Sequence, residues 1–227
     1  MRGIADVFLA ACASPGAWQI LDAGCGTGGM LDHLQHYGQP IGLDLAPEAL
    51  AFSQQRGHRI TGGSVTELPF PGATFDLVTC FDVLYHLWVH DDTLALAEFH
   101  RVLRDGGYLL VRVPAYDWLR GAHDQTVQTR HRYTAQELRQ KVSAAGFALE
   151  KVSYANTLLF PLILAKRLLE TKRGQRQQSD LSLPPPALNR VLAFILSLEA
   201  RPLRYVSLPW GLSVMCLARK GKRQKWE

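Results

Sequence analysis

The chain has 227 residues, 47% of them apolar and 20% charged, with 25 Lys and Arg against 20 Asp and Glu and only four Cys. This composition allows one α/β domain with a real core and excludes a disordered, fibrous or disulfide-stapled chain. The charge is lopsided: residues 1–156 carry 12 basic and 16 acidic side chains, residues 157–227 carry 13 and 4, so the C-terminal third is either a solvated basic tail or the face toward an anionic partner or membrane surface.

In chain order, the short apolar stretch Val7–Cys12, broken at its start by Asp6, reads as a first helix rather than a signal peptide. Short apolar runs then alternate with helical patterns, as in a mostly parallel sheet. Strands are expected at Gln19–Ala23, Pro40–Leu45, Arg59–Gly62, Phe75–Phe81, Gly107–Pro114 and Phe147–Tyr154, and a last one, antiparallel, at Leu212–Ala218. Helices are expected at Leu31–Tyr37, Pro47–Arg56, Asp91–Leu103 and Thr134–Ala145; Pro47 suits a first helical turn, and Thr134 with Glu137 forms a capping-box pattern. The expected fold is a single α/β domain over residues 1–227, a Rossmann-like seven-stranded sheet with helices on both faces. Residues 157–211 form a helical insertion before the last strand. Its apolar segments, Leu158–Leu169 and Ala187–Ala200, fall short of the ~20 residues needed to span a bilayer, and they flank a basic run with Lys172, Arg173 and Arg176. Cys12, Cys25, Cys80 and Cys216 lie far apart with no Cys-x-x-Cys pattern, which indicates neither zinc nor disulfides, no metal site, and a reducing cytoplasm.

The chemistry-bearing stretch is Ile20-Leu-Asp-Ala-Gly-Cys-Gly-Thr-Gly-Gly29, an apolar strand that ends in an acid and opens into a glycine-rich turn. Small residues let the backbone approach a ligand at the carboxyl edge of such a sheet, and Asp44, ending the second strand, can accept both hydroxyls of a ribose. Gly24, Gly26 and Gly29 also satisfy the dinucleotide pattern, so an NAD-dependent oxidoreductase competes. Asp22 separates the two: a carboxylate two residues before the first glycine would lie close to a pyrophosphate and repel it, but welcomes an ammonium or sulfonium.

In four successive motifs the chain resembles the class I S-adenosylmethionine-dependent methyltransferases, the small-molecule branch called type 11. They are Asp22-Ala-Gly-Cys-Gly-Thr-Gly28, Gly42-Leu-Asp44-Leu-Ala, Gly63-Ser-Val-Thr-Glu-Leu-Pro-Phe70 followed by Phe75-Asp-Leu-Val, and Leu103-Arg-Asp-Gly-Gly107. The resemblance implies S-adenosylmethionine as cofactor and S-adenosylhomocysteine as product. It places Asp22, Gly24 and Gly26 around the methionine pocket, Asp44 on the ribose, Leu45 beside the adenine, Ser64 and Val65 along the adenine edge, and Phe81 and Asp82 at the methionine end. The family usually has an acid where Ser64 stands.

Methyl transfer from a sulfonium is an in-line displacement, so the protein chiefly aligns the reactants and excludes water; a base is needed only where the nucleophile must lose a proton. His86, after the fourth strand, is the candidate base, against a structural role for it. The loop after the fifth strand, from Tyr116 and Trp118 through His123 and Arg130 to Tyr133, is dense in aromatic, basic and His residues. His123, His131 and Tyr133 are expected at the pocket mouth, and Arg130 and Arg132 suit a phosphate or carboxylate. The acceptor is expected to be a small molecule or lipid- or glycan-linked. The insertion is a lid, or alternatively a contact with an anionic membrane surface. A catalytically silent S-adenosylmethionine-binding module is a further alternative. Nucleic acid is disfavoured because the basic residues lack interleaved aromatics.

Overall fold

A computed structural model describes residues 2–12, 17–165 and 186–221. The basic run with Lys172, Arg173 and Arg176 lies outside the described residues, as does the side chain of His123.

The strands are β1 (Trp18–Ala23), β2 (Gly38–Asp44), β3 (Ile60–Gly62), β4 (Phe75–Phe81), β5 (Leu103–Pro114), β6 (Phe147–Ala155) and β7 (Ser213–Lys220). They form one sheet in the order β3-β2-β1-β4-β5-β7-β6. β1 to β5 pair in parallel, and β7 runs antiparallel between β5 and β6. The Rossmann-like arrangement with an antiparallel last strand is the one the sequence predicts. β5 begins four residues before its predicted start, since Leu103 already pairs with Phe75.

Alternation along the strands builds two apolar layers. Leu21, Val78, Leu109, Val111 and Cys216 face one side, where α4 (Asp92–Val102) and α6 (Ala135–Ala144) add Leu96, Phe99, Leu138 and Val142. Ile20, Leu77, Leu110 and Leu217 face the other, covered by α1 (Arg2–Leu9), α2 (Leu31–Leu34) and α7 (Pro186–Leu203) through Phe8, Leu34 and Leu203. α1, the predicted first helix, packs on α7.

Two helices show their start signals at work. α3 (Pro47–Gln55) begins on Pro47. α6 is capped by the Thr134 hydroxyl, which accepts from the Glu137 N–H at 3.1 Å. The loop after β5 also holds α5 (Ala122–Thr126), a short helix the sequence pattern did not indicate. Within the insertion, residues 160–165 are helical. Among the described residues no helix is long and apolar enough to cross a membrane.

Candidate functional site

β1, β2 and β4 all end at the same edge of the sheet, and between their ends lies a cleft of about 550 Å³. This lies within the usual range of small-ligand sites. The glycine turn forms its floor. Gly24 (φ +84°) packs so tightly against the β4 side that an added Cβ would lie 2.1 Å from Val83 Cγ2. Gly26 (φ +52°) is the reverse case: an added Cβ would meet nothing within 4 Å, because that direction is open. The turn is pinned by Asp44, whose Oδ2 accepts from the Gly26 N–H at 2.7 Å while Oδ1 accepts from the Ala46 N–H at 3.0 Å.

Of the residues expected at the cofactor, Gly24, Gly26, Asp44, Leu45, Ser64, Val65 and Asp82 line this cleft. Asp22 lies beneath the turn rather than on the wall, only 2% exposed, with the Thr79 hydroxyl donating to its Oδ1 at 2.7 Å. Burial pushes its carboxyl up to about 6, opposed by the Thr79 hydrogen bond and reinforced by the nearby Asp44 charge. Phe81 is a correction: strand alternation sends it to the opposite layer, against the α1 side of the core. Past it, Asp82 takes a left-handed conformation (φ +60°) and turns into the cleft, where the Arg112 guanidinium forks onto its carboxylate. The Ser64 hydroxyl is engaged locally with the Thr66 hydroxyl at 2.7 Å, so it supplies no acid-like contact at the adenine edge.

The lining holds the carboxylates of Asp44, Glu48 and Asp82, the last compensated by Arg112, which does not itself line the cleft. With Asp22 beneath, this charge distribution suits a ligand carrying an ammonium and a sulfonium and opposes a pyrophosphate. The open direction at Gly26 and the acidic lining therefore fit S-adenosylmethionine.

His86 stands on the same wall, half-buried, its ring stacked on Tyr85 at 4.5 Å. Its Nδ1 is closed off from the cleft, and the ring lies against the backbone of Asp82 and Val127. Burial holds its pKa below the usual His value, partly offset by the Asp82 charge, so the ring is neutral near pH 7. The loop after β5 is zipped to this segment: Leu87 N–H donates to Gln128 O at 2.9 Å and Arg130 N–H to Tyr85 O at 2.7 Å.

The other expected catalytic residues are placed differently. Tyr133 is fully buried, its hydroxyl 2.6 Å from Asp92 Oδ2, so it is not at the pocket mouth. It became part of the core because the Ala115–Tyr133 bridge draws the end of the loop back beside β5. His131 is held by the Glu137 carboxylate at 2.7 Å and lies off the cleft wall. Arg132 is spent on Asp124, at 2.7 and 3.1 Å, while Arg130 lies 3.5 Å from Asp92. Sequence reasoning missed Glu48, Val83, Trp88 and Val89 on the cleft wall. Trp88, 59% exposed, carried a signal: a large apolar residue in a loop two positions after a candidate base. Among the described residues no group of three His, Cys, Asp or Glu is arranged to hold a metal ion.

The methyltransferase-domain family of type 11 matches residues 21–111. The chain is 33% identical over 180 residues to a malonyl-[acyl-carrier protein] O-methyltransferase of Serratia marcescens, covering 76% of this chain and 69% of the relative. It is 37% identical to a fatty-acid O-methyltransferase of Mycolicibacterium smegmatis, over 48% of this chain and 44% of the relative. A solved S-adenosylmethionine-dependent methyltransferase from Mesorhizobium loti shares the fold with a TM-score of 0.64 at 17% identity, over 96% of this chain and 98% of that one.

Proposed function

Since the chain belongs to the S-adenosylmethionine-dependent methyltransferases of the type 11 family, we propose that it methylates an oxygen of a small, largely apolar acceptor, with His86 taking the proton that the nucleophile loses. The cofactor supplies a sulfonium-bound methyl group and leaves as a neutral thioether. Asp44 holds the ribose, and Asp22 favours the cationic amino-acid end, the charge of Asp82 being taken up by Arg112. Leu45, Val65 and Val89 give the cleft apolar walls that exclude water.

The observation that carries the reading is the His86 ring. It stands on the cleft wall, half-buried, and burial holds it below the usual His pKa, which favours the neutral form that can accept a proton. The test is kcat/KM against pH for hydroxyl acceptors, in the native protein and in His86→Ala. The native profile is expected to reach its plateau through an apparent pKa below 6.5, and His86→Ala to lose about 10²–10⁴-fold with unchanged affinity for S-adenosylhomocysteine. Equal turnover in the two proteins removes His86 from the chemistry.

A second reading takes a carboxylate as acceptor, by analogy with the malonyl and fatty-acid substrates in the relatives' names. A carboxylate is already ionised near pH 7 and needs no base. His86 would then only donate a hydrogen bond, and its replacement would cost roughly tenfold. The size of the His86→Ala effect on each acceptor class separates the two.

A further inference from the structure

The topology gathers exposed apolar side chains at one edge. β6 delivers the chain to the edge where β1, β2 and β4 end, and β7, running antiparallel, takes it up again from the same edge. Residues 157–211 therefore emerge at the same edge as the cleft, at its β7–β6 end. The described ends of this insertion expose Leu158, Leu162, Tyr205, Val206 and Trp210, Tyr205 by 86%. The loop after β5 joins this surface, since exposed Trp118 meets the Phe160 ring at 6.2 Å.

Such a patch in water is costly unless something covers it. Its charged neighbours say what does. Arg201 and Arg204 are exposed at the end of α7, beside Tyr205 and Val206. Glu199, the one acid among the described residues of 157–211, is buried, with its Oε2 turned to the Leu158 N–H at 3.4 Å. Exposed Tyr and Trp beside Arg, with no exposed acid among the described residues of the insertion, match the boundary between headgroups and acyl chains of an anionic bilayer.

We propose that the β7–β6 end of this edge docks on an anionic membrane surface, so that the cleft on the same edge is brought within reach of an acceptor held in the lipid phase. The placement of the acceptor rests on the methyltransferase reading of the cleft; the docking itself does not.

The test is co-sedimentation of the full chain with vesicles of phosphatidylcholine alone and of phosphatidylcholine with phosphatidylglycerol. It is run at low and high salt, with S-adenosylhomocysteine affinity measured on every variant. Binding is expected to the anionic vesicles, weakening with salt. Arg201→Gln with Arg204→Gln is expected to lower it roughly 10- to 30-fold, and Tyr205→Ser with Trp210→Ser to lower it at either salt level, cofactor affinity being unchanged throughout. The proposal is overturned if the protein stays in solution with anionic vesicles at low salt, or if binding ignores both double variants. It is equally overturned if sedimentation velocity shows a dimer that Tyr205→Ser with Trp210→Ser dissociates, since a second copy then covers the face. Vesicle binding without S-adenosylhomocysteine affinity would instead fail the methyltransferase reading and leave the docking standing.

Discussion

Asp22 and Asp44 are both acids at strand ends, yet burial sets them different tasks. Asp44 is partly open and pins the turn while facing the cleft. Replacing it with Ala removes a charge-assisted acceptor worth about 1.5–3 kcal/mol, so affinity for S-adenosylhomocysteine should fall roughly 10- to 100-fold by calorimetry. Asp22 is enclosed, and its carboxyl is raised from 3.8 to about 6. The protonated form is therefore the comfortable one in the ligand-free fold: its stabilising effect is full below pH 3.8 and lost as pH rises through 6. Holding the ionised form at neutral pH costs about 3 kcal/mol, and a bound ammonium offsets part of that. Cofactor binding should then release a proton below pH 6, with affinity dropping up to roughly tenfold per pH step. The drop should vanish in Asp22→Asn. Affinity that is flat down to pH 5 would show that Asp22 does not sense the ligand.

At the scale of elements, the loop after β5 and the start of α6 act as one clamp on the segment that carries His86. Tyr133 donates to Asp92, the first residue of α4, which also meets Lys141 at 2.9 Å. Burial alone would raise the Asp92 pKa, but these two partners overcome it and hold the carboxyl below its usual range. Tyr133→Phe should therefore cost about 1–3 kcal/mol of stability while leaving kcat close to native. A large loss of kcat at unchanged melting temperature would restore Tyr133 to the chemistry. Thr134→Ala should cost about 1 kcal/mol through the lost helix cap, read as a lower midpoint in urea.

For the whole molecule, the cleft joins strand ends from β1, β2 and β4, so its ligand should stiffen the entire sheet edge. S-adenosylhomocysteine at a hundred times its dissociation constant adds about 2.7 kcal/mol, a rise in Tm of roughly 5–10 °C for a chain of this size. NAD at the same concentration should leave Tm unmoved, because the acids at the cleft oppose its pyrophosphate. A comparable rise with NAD would refute the charge argument.

The parallel sheet, the glycine turn and Asp44 were legible in the sequence because each depends on local physics: alternating apolar runs, residues that tolerate positive φ, and an acid ending a strand. The antiparallel last strand agreed with the resemblance, whose four motifs fall in sequence order along β1 to β5. Local pattern did not determine the acceptor side. Tyr133 and His131 have the composition of a pocket mouth, but a bridge from Ala115 to Tyr133 buried one and Glu137 captured the other. Phe81 followed strand alternation away from the cleft, while Trp88 and Glu48 reached its wall from loop and helix. Which side chains meet across strands far apart in sequence depends on long-range packing, and only the tertiary structure decided it.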